Sequence, residues 1–133
     1  MAGSLIDLAK YRFECCKEAL IDAKLMYDNG RYKNTLNRAY YAIFYAIRAV
    51  NALDDFDSSK HSGVIAFFNQ HYVKEGIFPK EVSKIIKLAS ENRERADYLD
   101  YFIATKKDAE EQLQRAELFK GYVEEYLKNK NLL

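Results

Sequence analysis

Residues 31–53 read RYKNTLNRAYYAIFYAIRAVNAL, and the fold follows from how their apolar side chains repeat. Leu36, Tyr40, Ile43, Ile47 and Val50 step by four and three, the spacing of one face of an α-helix. Ala39, Ala42, Ala46 and Ala49 fall on an adjacent face, where small side chains let a second helix come close. Arg38, Tyr41, Tyr45 and Arg48 gather on a third face, within roughly 80° of one another at about 100° per residue. A helix apolar or amphipathic nearly all round is central to its domain rather than peripheral.

Outward from this segment the helical period continues. Residues 5–28 carry Leu5, Ala9, Cys16, Leu20, Ala23 and Tyr27 on one face, with Ser4 as the expected N-cap and Asn29-Gly30 as the stop. Residues 54–59, DDFDSS, form a polar connection in which Asp57, Ser58 or Ser59 is expected to cap a third helix over 60–74. Gly76 stops that helix, and Pro79 fits the first turn of a fourth, expected to reach about residue 92. Residues 93–104 read either as its continuation or as an ordered loop. Thr105 is the expected cap of a last helix reaching about residue 128. No linker, repeat or low-complexity tract interrupts the chain, so residues 1–133 read as one domain. The expected architecture is all-α, an antiparallel up-and-down bundle of four to five helices.

Composition agrees. Five Gly and one Pro in 133 residues supply too few turn residues for an all-β fold. With 21 Lys+Arg against 20 Asp+Glu, the net charge of +1 argues against a broad electrostatic grip on nucleic acid but leaves room for a local basic patch. The longest mainly apolar stretch, residues 39–47, is far short of the ~20 residues that span a bilayer. No basic segment followed by an apolar run opens the sequence. A cytoplasmic protein without a membrane partner is expected. Cys15 and Cys16 are neighbours, with no CxxC or Cys/His cluster, so neither a metal site nor a cofactor is expected.

Motifs for phosphate loops, nucleophile elbows and zinc proteases are missing, as is the Glu-x-x-His pair of di-iron bundles. What remains is local. Guanidinium groups bind phosphate bidentately and tyrosine rings stack bases, so Arg38, Tyr41, Tyr45 and Arg48 suit a ligand-binding cleft. The same four residues would equally suit a dimer interface, with Arg stems lying over apolar rings. Lys60 and His61 stand in a first helical turn, where backbone N–H groups favour anions. His71 reads as surface. Arg93, Arg95, Asp97 and Tyr98 form a further cluster that either binds phosphate or fixes a turn. The candidate ligand-binding set is Arg38, Tyr41, Tyr45, Arg48, Lys60, His61, Arg95 and Asp97. His61 and Tyr98 are the acid/base candidates.

The string from Asn37 to Ala49, NRAYYAIFYAIRA, resembles the RAYYA-[MIV]-F-x-A-x-x-A signature of prokaryotic HEPN domains (higher eukaryotes and prokaryotes nucleotide-binding). Lys60-His61-Ser62-Gly63-Val64, then Phe67-Phe68 and residues 73–76, resemble the signature's downstream part, and Arg95-Ala96-Asp97-Tyr98 loosely matches an R-x-x-DY-like element. The resemblance spans residues 5–128. It implies a helical bundle that homodimerises, a minimal nucleotidyltransferase partner encoded alongside, and a toxin–antitoxin-type role. It also implies, for several branches, metal-independent RNA cleavage by an Arg-x(4–6)-His motif. Here the positions that would hold that Arg are Asp54, Asp55 and Phe56 before His61, and Val64, Ile65 and Ala66 before His71. Arg93, after four intervening residues, is followed by Tyr98, and a phenol with a pKa near 10 is a poor general base at neutral pH. The expected function is a nucleotide- or RNA-binding homodimer, leaning away from an enzyme. The alternatives are a diverged metal-independent ribonuclease and a pure interaction module.

Overall fold

The computed structural model describes residues 2–133. The elements are α1 (Ala2–Asp28), α2 (Tyr32–Ala52), α3 (His61–Phe68), a π-helical turn (Asn69–Val73), α4 (Glu81–Tyr98) and α5 (Lys106–Asn129). No strand occurs among the described residues, and the helices pack as a bundle.

Helix α2 is the hub. It contacts α1, α3, α4 and α5, and its seam residues Leu36, Tyr40, Ile43, Ile47 and Val50 are buried. The four alanines of the adjacent face are fully buried, which lets α1 and α5 approach α2 without side-chain bulk between the helix axes. Phe13, Phe68 and Phe119 fill the remaining volume from α1, α3 and α5.

The helix ends follow local chemistry. At the end of α1, Gly30 takes φ +72° while Arg31 N–H donates to Met26 O and Gly30 N–H to Tyr27 O. That is a Schellman cap, in which glycine adopts the left-handed conformation cheaply. Asp55 (φ +55°) ends α2 by the same pair of bonds, Phe56 to Asn51 and Asp55 to Ala52. Thr105 caps α5 with a reciprocal capping box to Asp108.

Four local expectations are corrected. Helix α1 begins at Ala2, so Ser4 lies inside its first turn; a cap bond worth about 1 kcal/mol does not stop residues that tolerate helix from extending it. Lys60, not Asp57, Ser58 or Ser59, is the N-cap of α3, because Asp57 is drawn off by arginines of two other helices. Ser58 Oγ accepts from Lys60 N–H instead. The third helix does not run as one α-helix to residue 74. It widens into a π-turn that sets Tyr72 and Val73 into the core together with Phe68, and Ser83 Oγ donates to Asn69 Oδ1 there. Pro79 precedes α4 instead of entering its first turn. The ambiguous residues 93–104 divide: α4 continues to Tyr98, and a loop with Tyr101 at φ +60° follows.

Two consequences are measurable. Ala46→Leu places extra methylenes where α2 meets its neighbours and is expected to cost about 1–3 kcal/mol in urea unfolding. Thr105→Ala removes one cap and is expected to cost about 1 kcal/mol. An Ala46→Leu protein as stable as wild type would contradict the alanine face as the point of closest helix approach.

Candidate functional site

The third face of α2 meets the start of α3 and the last turns of α4. Tyr40 is buried by the packing of α2, and its hydroxyl lies 2.9 Å from His61 Nδ1. The His61 ring stacks on Phe44 at 4.1 Å between centroids and meets Tyr41 edge-on at 5.8 Å. Arg93 comes from α4. Its guanidinium lies 5.1 Å from the Tyr40 ring centroid and 5.7 Å from those of Tyr41 and Tyr98. One Arg93 terminal nitrogen donates to the Tyr41 hydroxyl at 3.4 Å. Arg38 covers the Tyr41 ring at 5.0 Å.

A polar chain fixes these cations. Arg93 Nε pairs with Asp97 Oδ2 at 3.2 Å, one helical turn on. Asn37 Nδ2 donates to both Asp97 oxygens, at 3.2 and 3.1 Å, and Asn37 Oδ1 accepts from Arg38 Nε at 3.0 Å. The guanidinium of Arg93 is thus positioned by one carboxylate and three aromatic rings. Such stacking suits Arg and would not suit Lys, whose compact charge carries no planar face.

The electrostatics decide protonation. Burial pushes the Tyr40 hydroxyl up to about 12, although Arg93 opposes this. Burial lowers His61 below its ordinary value of 6.5, and the charges of Arg93 and Arg48 lower it further. At neutral pH His61 is therefore uncharged and Tyr40 is a phenol. Their bond is satisfied in either tautomer: with Tyr40 donating, Nε2 carries a proton, and with Nδ1–H donating, Nε2 is a free base. This arrangement can bind an anion and can give or take one proton.

A second cluster adjoins the first. Arg12 of α1 and Arg48 of α2 both donate to Asp57 Oδ2, at 3.1 and 2.8 Å, and Ser58 N–H donates to Asp57 Oδ1. Burial works against ionisation of Asp57, but the hydrogen bonds from Arg48 and Ser58 and the two guanidinium charges overcome it and hold the carboxyl below its ordinary value. Gly63 admits this connection. A Cβ there would stand 2.6 Å from Ser58 Oγ and 3.1 Å from Ser58 Cβ.

Arg38, Tyr41, His61 and Asp97, all chosen from sequence, come together here. Tyr45 stands beside Tyr41, with ring centroids 6.1 Å apart. Arg48 is committed to Asp57, and Lys60 is exposed at the start of α3. Arg95 is exposed; at about 100° per residue it lies roughly 200° around α4 from Arg93, and Arg93 is the arginine over the rings. Tyr98 is exposed, with its ring against Arg93. Tyr40, Asn37, Arg12 and Asp57 also belong to the arrangement without having been chosen from sequence. Arg93 belongs to the cluster read from sequence with Arg95, Asp97 and Tyr98, and its i,i+4 spacing from Asp97 is the signal that separates it from Arg95. Nothing in the sequence points to Arg12, which lies 45 residues from its carboxylate.

Comparison with known proteins places this chain in a family. The HEPN domain family model matches residues 9–126, and the chain belongs to that family. It is similar to a UPF0332 protein of Thermotoga maritima, 34% identical over 113 residues, 85% of this chain and 86% of that one. It is also 33% identical over 115 residues to a Methanocaldococcus jannaschii protein named "Putative toxin MJ0605", covering 86% of this chain and 85% of that one. No described helix is long and apolar enough to cross a membrane, and no described group of side chains is arranged to hold a metal ion.

The lowered His61 value has a direct readout. An NMR titration should place His61 below 6.5, and Arg93→Gln should move it upward. The fold favours neutral His61, so its contribution to stability is complete above pH 6.5 and is lost as pH falls through the lowered value. A titration midpoint unchanged by Arg93→Gln would remove Arg93 as a cause.

Proposed function

We propose that this protein is the toxin-type member of a two-gene module, a homodimer that binds nucleotide or RNA phosphate at the Arg93–His61 cluster and works with a minimal nucleotidyltransferase partner. The observation that carries the reading is the guanidinium of Arg93 set over three tyrosine rings beside His61. A cation flanked by stacking surfaces suits a nucleotide, which presents both a phosphate and a flat base. The name of the Methanocaldococcus jannaschii relative supports the toxin-type role. The apolar end of α4 and the loop after it support association, since Tyr98, Leu99, Tyr101 and Ile103 are all largely exposed.

One observation favours a second reading, metal-independent cleavage of RNA. The Arg-x(4–6)-His pairing absent from the linear sequence has a spatial counterpart, because Arg93 of α4 and His61 of α3 rest on the same two rings, Tyr40 and Tyr41. In such a site His61 would move the proton and Arg93 would stabilise the phosphorane charge.

Titration with ATP and with a short RNA tests binding. Saturable binding is expected, weakened about 10- to 100-fold by Arg93→Ala, which removes a charged hydrogen-bonding group worth about 1.5–3 kcal/mol. Absence of saturable binding would sink the ligand reading. Incubation with RNA in EDTA tests cleavage, and activity that survives His61→Ala would dismiss the second reading. Scattering mass at several concentrations reports the dimer, and the neighbouring reading frame reports the partner.

A further inference from the structure

Two guanidinium groups converge on a single oxygen of Asp57, so the triad Arg12, Arg48 and Asp57 carries one excess positive charge. The triad borders a cavity lined by Phe44, Arg48, Asp57, Ser58, Ser59 and His61. Asp57 is the movable member: its side chain is 45% exposed and sits on a connection between helices, whereas Arg12 is 10% exposed and braced by a bond to Arg48 O at 3.2 Å. A carboxylate is the nearest protein equivalent of a phosphate oxygen pair in front of an Arg fork.

We propose that this cavity is a second phosphate subsite, that Asp57 fills it in the free protein, and that a single-stranded oligonucleotide displaces Asp57 from Arg48 when it binds. The proposal rests on the nucleotide reading of the Arg93–His61 cluster and names its substrate class. The two cationic centres are not adjacent. Arg93 lies over Tyr40 and Arg48 follows just over two turns later on α2, roughly 12 Å along the axis, with the rings of Tyr40, His61 and Phe44 between them. Phosphates joined by one bridging oxygen, as in a nucleoside triphosphate, do not span that distance. Phosphates two nucleotides apart on a strand, with sugars and a base between them, suit two cations with rings between.

A fluorescent six-nucleotide oligoadenylate, followed by anisotropy across a salt series, provides the test. Asp57→Asn is expected to tighten binding about tenfold and to steepen the salt slope by about 0.7, the increment for one more neutralised phosphate on a single strand. Adding Arg48→Gln to Asp57→Asn should erase the gain, and ATP should show no comparable gain. Asp55→Asn removes a carboxylate from the same connection without touching an arginine and should change little. Unchanged or weaker binding in folded Asp57→Asn overturns the proposal, and so does an equal gain from Asp55→Asn. Should Asp57→Asn unfold, Ser59→Asp serves in its place: it puts a carboxylate into the cavity and should weaken binding, and an unaffected Kd overturns the subsite. Failure of the nucleotide reading looks different, because wild type and Arg93→Ala would then bind alike.

Discussion

The structure depends on the need to bury α2 on almost every side. A helix with an apolar seam and a row of four alanines beside it must be surrounded, and the alanines set how near the neighbours come. Once α1, α4 and α5 have closed on those faces, one face is left for polar work. Arg38, Tyr41, Tyr45 and Arg48 stand on it, half-buried. The site is therefore a by-product of core packing: its floor is the edge of the core, and its rings are held by side chains that cannot move without opening α2.

What turns that floor into a site is polar chemistry brought from elsewhere. Arg93 arrives on α4, His61 on α3 and Arg12 on α1, so each neighbour of α2 in the core other than α5 delivers one group to its open face. Near-neutral total charge is compatible with this local concentration, because the acidic partners are spent in defined pairs: Asp97 on Arg93 and Asn37, Asp57 on Arg12 and Arg48. Among the described residues the structure gives no acidic partner to Arg38, whose guanidinium bonds to Asn37. The excess is a small cationic surface laid over aromatic rings, on a chain whose net charge is only +1.

Much of this was legible in the residues. The 4-3-4-3 seam, the alanine row and the Arg/Tyr face of α2 are properties of one continuous helix, where angular position follows from sequence number alone. Gly30 and Thr105 acted as stop and start because their preferences are local. The misreadings also have physical causes. Ser4 and Asp57 have the side chains of local caps, but Ser4 is absorbed into a longer helix and Asp57 is claimed by arginines 45 and nine residues away. The π-turn at Asn69–Val73 was invisible because it answers to where Tyr72 and Val73 must pack, not to any intrinsic preference.

The sequence by itself determined the helices, the central place of α2, and the polar face that α2 would present. Periodicity and caps are short-range, so they survive without knowledge of the rest of the chain. Only the tertiary structure decided which arginine meets the rings, that His61 is held by Tyr40, and that Arg48 is occupied by Asp57. Those pairings join residues on separate helices, and their geometry is set by how far α4 extends and how closely α3 and its connection fold back, which only the assembled core determines.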